Sequence, residues 1–109
     1  MKFKLAALLF LALVASSAQT GRPLRVFIRA GVKTHGPNQH DHPRFLADWK
    51  ELLNQRGAKA DGSMDFPTAQ QLDDTDVLVI YAQDGMKITG EQRANFETFL
   101  QSVRFEGGK

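Results

Sequence analysis

The feature that most constrains the fold is an alternation of short β-forming segments with longer segments of helical periodicity. The first strand is predicted over Leu24–Ala30, ending at Gly31, and the third over Val77–Tyr81. Because Val77–Tyr81 is apolar and largely β-branched, it is typical of a strand covered by helices on both faces. Residues 58–66 contain poor strand formers, so only a short edge strand is predicted there.

The first predicted helix starts near Pro43, with Asp41 or His42 as its N-cap, and ends at Gly57. Apolar residues recur on one side of it and polar residues on the other. The apolar side consists of Phe45, Leu46, Trp49, Leu52 and Leu53, and the polar side of Asp48, Lys50, Glu51 and Asn54. We expect Trp49 to pack in the core rather than to stack on a ligand.

Two further helices are predicted from capping boxes, in which a threonine is followed three residues later by glutamine. The box at Thr68 starts a short helix that stops near Asp73, and the box at Thr89 starts a longer one. The apolar face of the longer helix is predicted to contain Phe96, Phe99, Leu100 and Val103.

The order strand-helix-strand-helix-strand-helix predicts an α/β fold with a parallel sheet. Right-handed crossovers and the weak second strand favour the strand order 2-1-3, part of a flavodoxin-like three-layer sandwich. This order leaves the third strand at an edge, although its sequence is typical of a central strand. We therefore expect residues 19–109 to be the N-terminal part of a domain, truncated before a fourth strand that should follow Gly107–Gly108.

Residues 1–18 have the pattern of a signal peptide. Lys2 and Lys4 precede an apolar run of eleven residues, and small residues follow at a cleavage site after Ala18. The run is too short to span a membrane, so we expect a bacterial periplasmic or secreted protein with no membrane contact after cleavage. The remaining chain carries 12 basic and 12 acidic residues and has no cysteine. This balance gives no support for nucleic-acid binding, and disulfides are excluded.

All three histidines of the chain, His35, His40 and His42, lie within eight residues of one loop after the first strand. The order 2-1-3 brings this loop and the Gln83–Asp84 loop to the carboxyl ends of strands one and three, where open α/β sheets bind ligands. One hypothesis is a divalent metal site formed by the three histidines, zinc being the best match to imidazole ligands. The others are non-metal contacts to a polar substrate, or a loop without function.

Two carboxylates near these histidines have alternative interpretations. Asp41 is either a residue that orients an imidazole or the cap of the first helix. Asp84 is either a ligand, base or sugar-hydroxyl acceptor, or a turn residue before Gly85.

Several segments together resemble the N-terminal part of a ThuA-like (trehalose utilisation) domain of the class I glutamine amidotransferase-like superfamily. They are Thr34-His35-Gly36-Pro37, His40-Asp41-His42-Pro43-Arg44-Phe45, Phe66-Pro67-Thr68-Ala69, Asp76 to Tyr81, and the helix from Thr89 to Leu100. The resemblance implies an exported α/β protein linked to sugar metabolism. Because the chain has no cysteine, glutamine hydrolysis through a thiolate is excluded.

Three functional hypotheses follow. The first is a sugar-processing enzyme of trehalose or glycoside metabolism, with Asp84 and His42 catalytic, Asp41 and Gln83 in contact with a small sugar, and His35, His40 and His42 holding zinc. The second is a non-catalytic carbohydrate-binding or accessory domain, and the third is an inactive truncated fragment. The oligomeric state stays open, a homo-oligomer included.

Overall fold

The computed structural model describes residues 21–83 and 87–103. The elements are β1 (Arg25–Ala30), α1 (His42–Gln55), β2 (Lys59–Ser63), α2 (Ala69–Asp73), β3 (Val77–Tyr81) and α3 (Gly90–Ser102). The predicted signal peptide, Asp84 and the predicted Gly107–Gly108 cap lie outside the described residues.

The three strands form a parallel sheet in the order β2-β1-β3. In the central strand, Ile28 is aligned with Gly62 of β2 and with Val79 of β3. The predicted α/β architecture, with its partial flavodoxin-like order 2-1-3, is therefore confirmed. The weak second strand does occupy an edge, as predicted.

The core lies between the sheet and α1. Val26, Ile28 and Ala60 are buried there, and Phe45, Leu46 and Leu53 of α1 pack against them. α1 packs mainly against β1 and β2, and among the described residues an apolar groove remains beside it toward β3.

Trp49 lies on this side of α1 and is 45% exposed, so the prediction that it packs in the core is wrong. It tilts against Phe45 and, with Val77 and Val79, lines a groove formed by apolar side chains.

β3 has an edge position that leaves apolar side chains exposed on both of its faces. Val77 on one face is 40% exposed and Ile80 on the other is 45% exposed. The expectation that helices cover both faces is therefore wrong within residues 21–83 and 87–103. Leu100 of α3 is likewise 41% exposed, because α3 packs mainly against the short α2. No helix in the described ranges has the length and apolar character needed to cross a membrane.

Asp76 links the amino ends of β1 and β3 through hydrogen bonds. Its carboxylate accepts hydrogen bonds from the Arg22 guanidinium at 2.6 and 2.8 Å and from the Arg25 backbone N–H at 2.8 Å. These donors, Arg22 first and then Arg25, hold the pKa of Asp76 well below its usual range. The alignment of β1 with β3 is thus set by charge-assisted bonds at the end opposite the histidines.

Candidate functional site

The loops after β1 and β3 leave the sheet side by side at its carboxyl edge. The Gly31 backbone N–H donates to the Tyr81 carbonyl at 3.1 Å, which extends the strand pairing to the start of both loops. The chain leaves β1 toward β2 on one side, while β3 pairs with β1 on the other side, so the two loops flank the switch point where ligands bind in open α/β sheets.

A chain of side-chain hydrogen bonds joins the two loops. The Thr34 hydroxyl donates to Gln83 Oε1 at 2.7 Å, and Gln83 Nε2 lies 3.3 Å from His40 Nδ1. All three residues are exposed. The structure therefore brings predicted site residues His40 and Gln83 together, and it adds Thr34, which the sequence left without a role.

His42 differs from the other two histidines because it is buried, with 1% of its surface exposed. Its Nδ1 lies 3.1 Å from the Val32 carbonyl oxygen, and its ring meets that of Tyr81 edge-on at 4.8 Å between centroids. A carbonyl oxygen only accepts, so Nδ1 carries the proton in this contact and Nε2 keeps its lone pair in the neutral ring. Such a backbone contact is the arrangement that orients metal-binding and proton-transferring histidines.

The three imidazoles are neighbours. The ring centroids of His35 and His40 are 4.8 Å apart in an edge-on arrangement, and those of His40 and His42 are 6.5 Å apart and nearly parallel. Within the part of the chain that the structure describes, no three histidine or acidic side chains converge as a metal ion requires. The zinc site at His35, His40 and His42 thus stays a prediction.

Asp41 caps α1, which decides between its two interpretations. Its Oδ1 accepts a hydrogen bond from the Arg44 backbone N–H at 3.1 Å, and Oδ2 lies 3.6 Å from Lys33 Nζ. The carboxylate is already engaged at the start of the helix, and its predicted contact with substrate gains no support. The other predicted carboxylate, Asp84, lies outside the described residues.

The backbone of this loop is unusual at two positions. Asn38 and His40 have φ values of 62° and 41°, in the left-handed region that residues other than glycine seldom adopt. Such strain is found preferentially at functional sites, where the surrounding contacts hold it in place. At His40 those contacts include Gln83.

Two further residues near this edge escaped the sequence analysis. Tyr81 packs against His42 and also against Phe45, at 4.4 Å between ring centroids. Its position as the last residue of β3 could have indicated its place near the site, because the carboxyl ends of the strands line this edge. Arg29 is only 4% exposed and lies on the face of β1 opposite α1. The available signal was its charge, because a charged residue within a buried strand is unusual.

Comparison of the chain with protein-family models, curated proteins and solved structures finds no match.

Proposed function

We propose that this chain is an exported, ThuA-like protein of carbohydrate metabolism that binds a small sugar between the loops following β1 and β3. The observation that carries the proposal is the hydrogen-bonded chain from Thr34 through Gln83 to His40. It presents a hydroxyl, an amide and an imidazole on one exposed edge, and these groups complement sugar hydroxyls, which both donate and accept hydrogen bonds.

Two features favour the hypothesis that the loop after β1 binds a ligand over the hypothesis that it has no function. His40 adopts a left-handed backbone conformation, and its side chain contacts Gln83 of the other loop. The site also occupies the switch point of the sheet, where open α/β folds place their ligands.

The proposal is tested by titrating the full chain with trehalose and with methyl α-glucoside while recording amide NMR signals. We expect saturable shifts concentrated in residues 34–42 and 82–84. His40→Ala and Gln83→Ala should each weaken binding about 10-fold, because each removes a hydrogen-bonding partner. Gln101→Ala, at an exposed glutamine on α3, is the matched control and should bind normally. Absence of saturable binding up to about 10 mM would overturn the proposal.

A zinc site is the second candidate, favoured by the contact between His42 Nδ1 and the Val32 carbonyl, which leaves Nε2 basic. His42→Asn keeps an N–H donor for Val32 while removing the imidazole lone pair. Zinc competition titrations should then show one bound equivalent in the parent chain and none in the variant. A parent chain that takes up no zinc would exclude this candidate.

Catalysis through His42 and Asp84 would distinguish an enzyme from an accessory domain. An enzyme should release product from a bound glycoside, and Asp84→Asn should slow turnover by about 100-fold or more if Asp84 acts as acid or base. Binding without turnover in the parent chain would favour the accessory domain.

A further inference from the structure

We infer that Gln83 determines which class of ligand this site accepts by fixing the tautomer of His40, so that a hydroxyl-bearing ligand is selected over a divalent cation. The inference rests on the proposed function and deepens it. It concerns which ring nitrogen of His40 carries the proton when the imidazole is neutral.

The direction of the hydrogen bonds follows from the orientation of the Gln83 amide. Its Oε1 accepts from the Thr34 hydroxyl at 2.7 Å, and its Nε2 lies 3.3 Å from His40 Nδ1. An amide nitrogen can only donate, so His40 Nδ1 must accept. In the neutral ring the proton is then on Nε2, and His40 offers an N–H donor.

His42 has the opposite arrangement. Its Nδ1–H donates to the Val32 carbonyl, so its Nε2 carries a lone pair. Two nearly parallel imidazoles with centroids 6.5 Å apart thus differ in character, one with a protonated Nε2 and the other with a basic Nε2. Because His42 is buried and His40 is exposed, the group offered to a ligand is the His40 Nε2–H, which complements the oxygen of a ligand hydroxyl.

A divalent cation makes a different demand. It binds only the lone pair of an imidazole nitrogen, and ligating histidines donate their other N–H to an acceptor. Gln83 presents His40 with a donor in place of an acceptor. His40 must therefore change tautomer before a cation can bind through Nε2. The Gln83 amide must also flip, so that Oε1 faces His40 and Nε2 faces the Thr34 hydroxyl.

Gln83→Glu reverses this selection because a carboxylate can only accept. The variant should move the neutral His40 proton to Nδ1 and create the carboxylate-histidine pair typical of zinc sites. We expect zinc affinity to rise about 10-fold or more and sugar affinity to fall. Gln39→Glu is the matched control, because it adds the same charge at an exposed residue of the same loop. It should leave the His40 tautomer unchanged and alter zinc affinity by much less than about 10-fold.

The test is imidazole ¹⁵N NMR on the full chain at about pH 8, where free histidine is mostly neutral. The parent chain should show His40 protonated at Nε2 and His42 at Nδ1, and Gln83→Glu should show both at Nδ1. Thr34→Val removes the hydroxyl donor and should give a mixture at His40 without altering His42.

A parent chain with His40 protonated at Nδ1 would overturn the inference, and so would an unchanged tautomer in Gln83→Glu. The tautomer is measured without sugar, so its outcome is separate from that of the proposed function. The predicted tautomers and a gain of zinc affinity in Gln83→Glu could occur in a chain that binds no sugar. That result would support the inference that Gln83 disfavours cations at His40, and it would overturn the proposed sugar-binding function.

Discussion

Gly62 of β2 shows how a single residue type permits the packing of α1 on the sheet. A Cβ atom there would overlap the Ile28 carbonyl oxygen and the Leu46 side chain. Glycine is a poor strand former, and its presence made β2 the weakest prediction from sequence. The close approach of α1 explains it, and no local pattern could have revealed that approach because it joins residues distant in the chain.

Gly62→Ala is predicted to lower the free energy of unfolding by about 1–3 kcal/mol, because the added methyl group overpacks the core. Urea unfolding measures the change. Gly90→Ala is the control, since open space surrounds Gly90 at the first turn of α3, and it should be neutral or slightly stabilising. Equal loss of stability in both variants would contradict the overlap.

Asp76 supplies a prediction about pH. Its pKa is lowered in the folded chain by Arg22 and Arg25, so its stabilisation is complete above the unfolded value of about 3.9 and is lost as pH falls toward the folded value. At pH 7, Asp76→Asn should lower the free energy of unfolding by about 1–3 kcal/mol. The difference should shrink as pH falls below about 4.

Unfolding curves at several pH values check this behaviour. Asp73→Asn, at an exposed aspartate at the end of α2, is the matched control and should change stability little at any pH. A difference between Asp76→Asn and the parent chain that stays constant down to acid pH would show that the ion pair does not supply the stability.

At the scale of elements, Asn54 joins the end of α1 to β2. Its side-chain amide accepts from the Ala60 N–H at 2.9 Å and donates to the Ala60 carbonyl at 3.0 Å, as a neighbouring strand would. The helical pattern assigned Asn54 to the water-facing side. That assignment is incomplete, because a periodicity gives the direction of a side chain and not the backbone that comes within its reach.

Asn54→Leu is predicted to destabilise the chain by about 1–3 kcal/mol, because both backbone groups of buried Ala60 lose their partner. Gln55→Ala, at the next residue, removes only an exposed contact with Glu51 and should cost less than about 0.5 kcal/mol. Hydrogen exchange at the Ala60 amide should accelerate in Asn54→Leu alone. Unaltered protection of that amide would contradict the role of Asn54.

The helices and strands were largely predictable from the sequence, whereas the candidate site was predictable only in part. Thr68 and Thr89 form the predicted capping boxes, because such boxes are local and need no tertiary contact. The meeting of His40 with Gln83 followed from strand order. The burial of His42 did not follow, since it depends on the packing of Tyr81 beneath the loop.

At the scale of the whole molecule, the sheet is covered unevenly. The groove beside α1 exposes Trp49, the single tryptophan, together with Val77 of the edge strand. Exposed apolar surface of this kind marks sites of association in many proteins. We therefore expect Trp49 to be open to solvent in the monomer.

Acrylamide quenching of tryptophan fluorescence tests this exposure in dilute solution. We expect quenching of Trp49 at roughly half the efficiency of free N-acetyltryptophanamide, since 45% of the residue is exposed. Quenching that weakens as protein concentration rises would indicate that a second copy covers the groove. Strong protection at all dilutions would contradict the exposed position.

The central claim is that the loops after β1 and β3 form one site through Gln83 and His40. The most direct test is a nuclear Overhauser measurement between the Gln83 side-chain amide protons and the His40 ring protons, with the His42–Tyr81 ring pair as internal reference. We expect cross-peaks for both pairs. A cross-peak between His42 and Tyr81 without one between Gln83 and His40 would show a folded chain whose two loops do not meet, and it would contradict the proposed site.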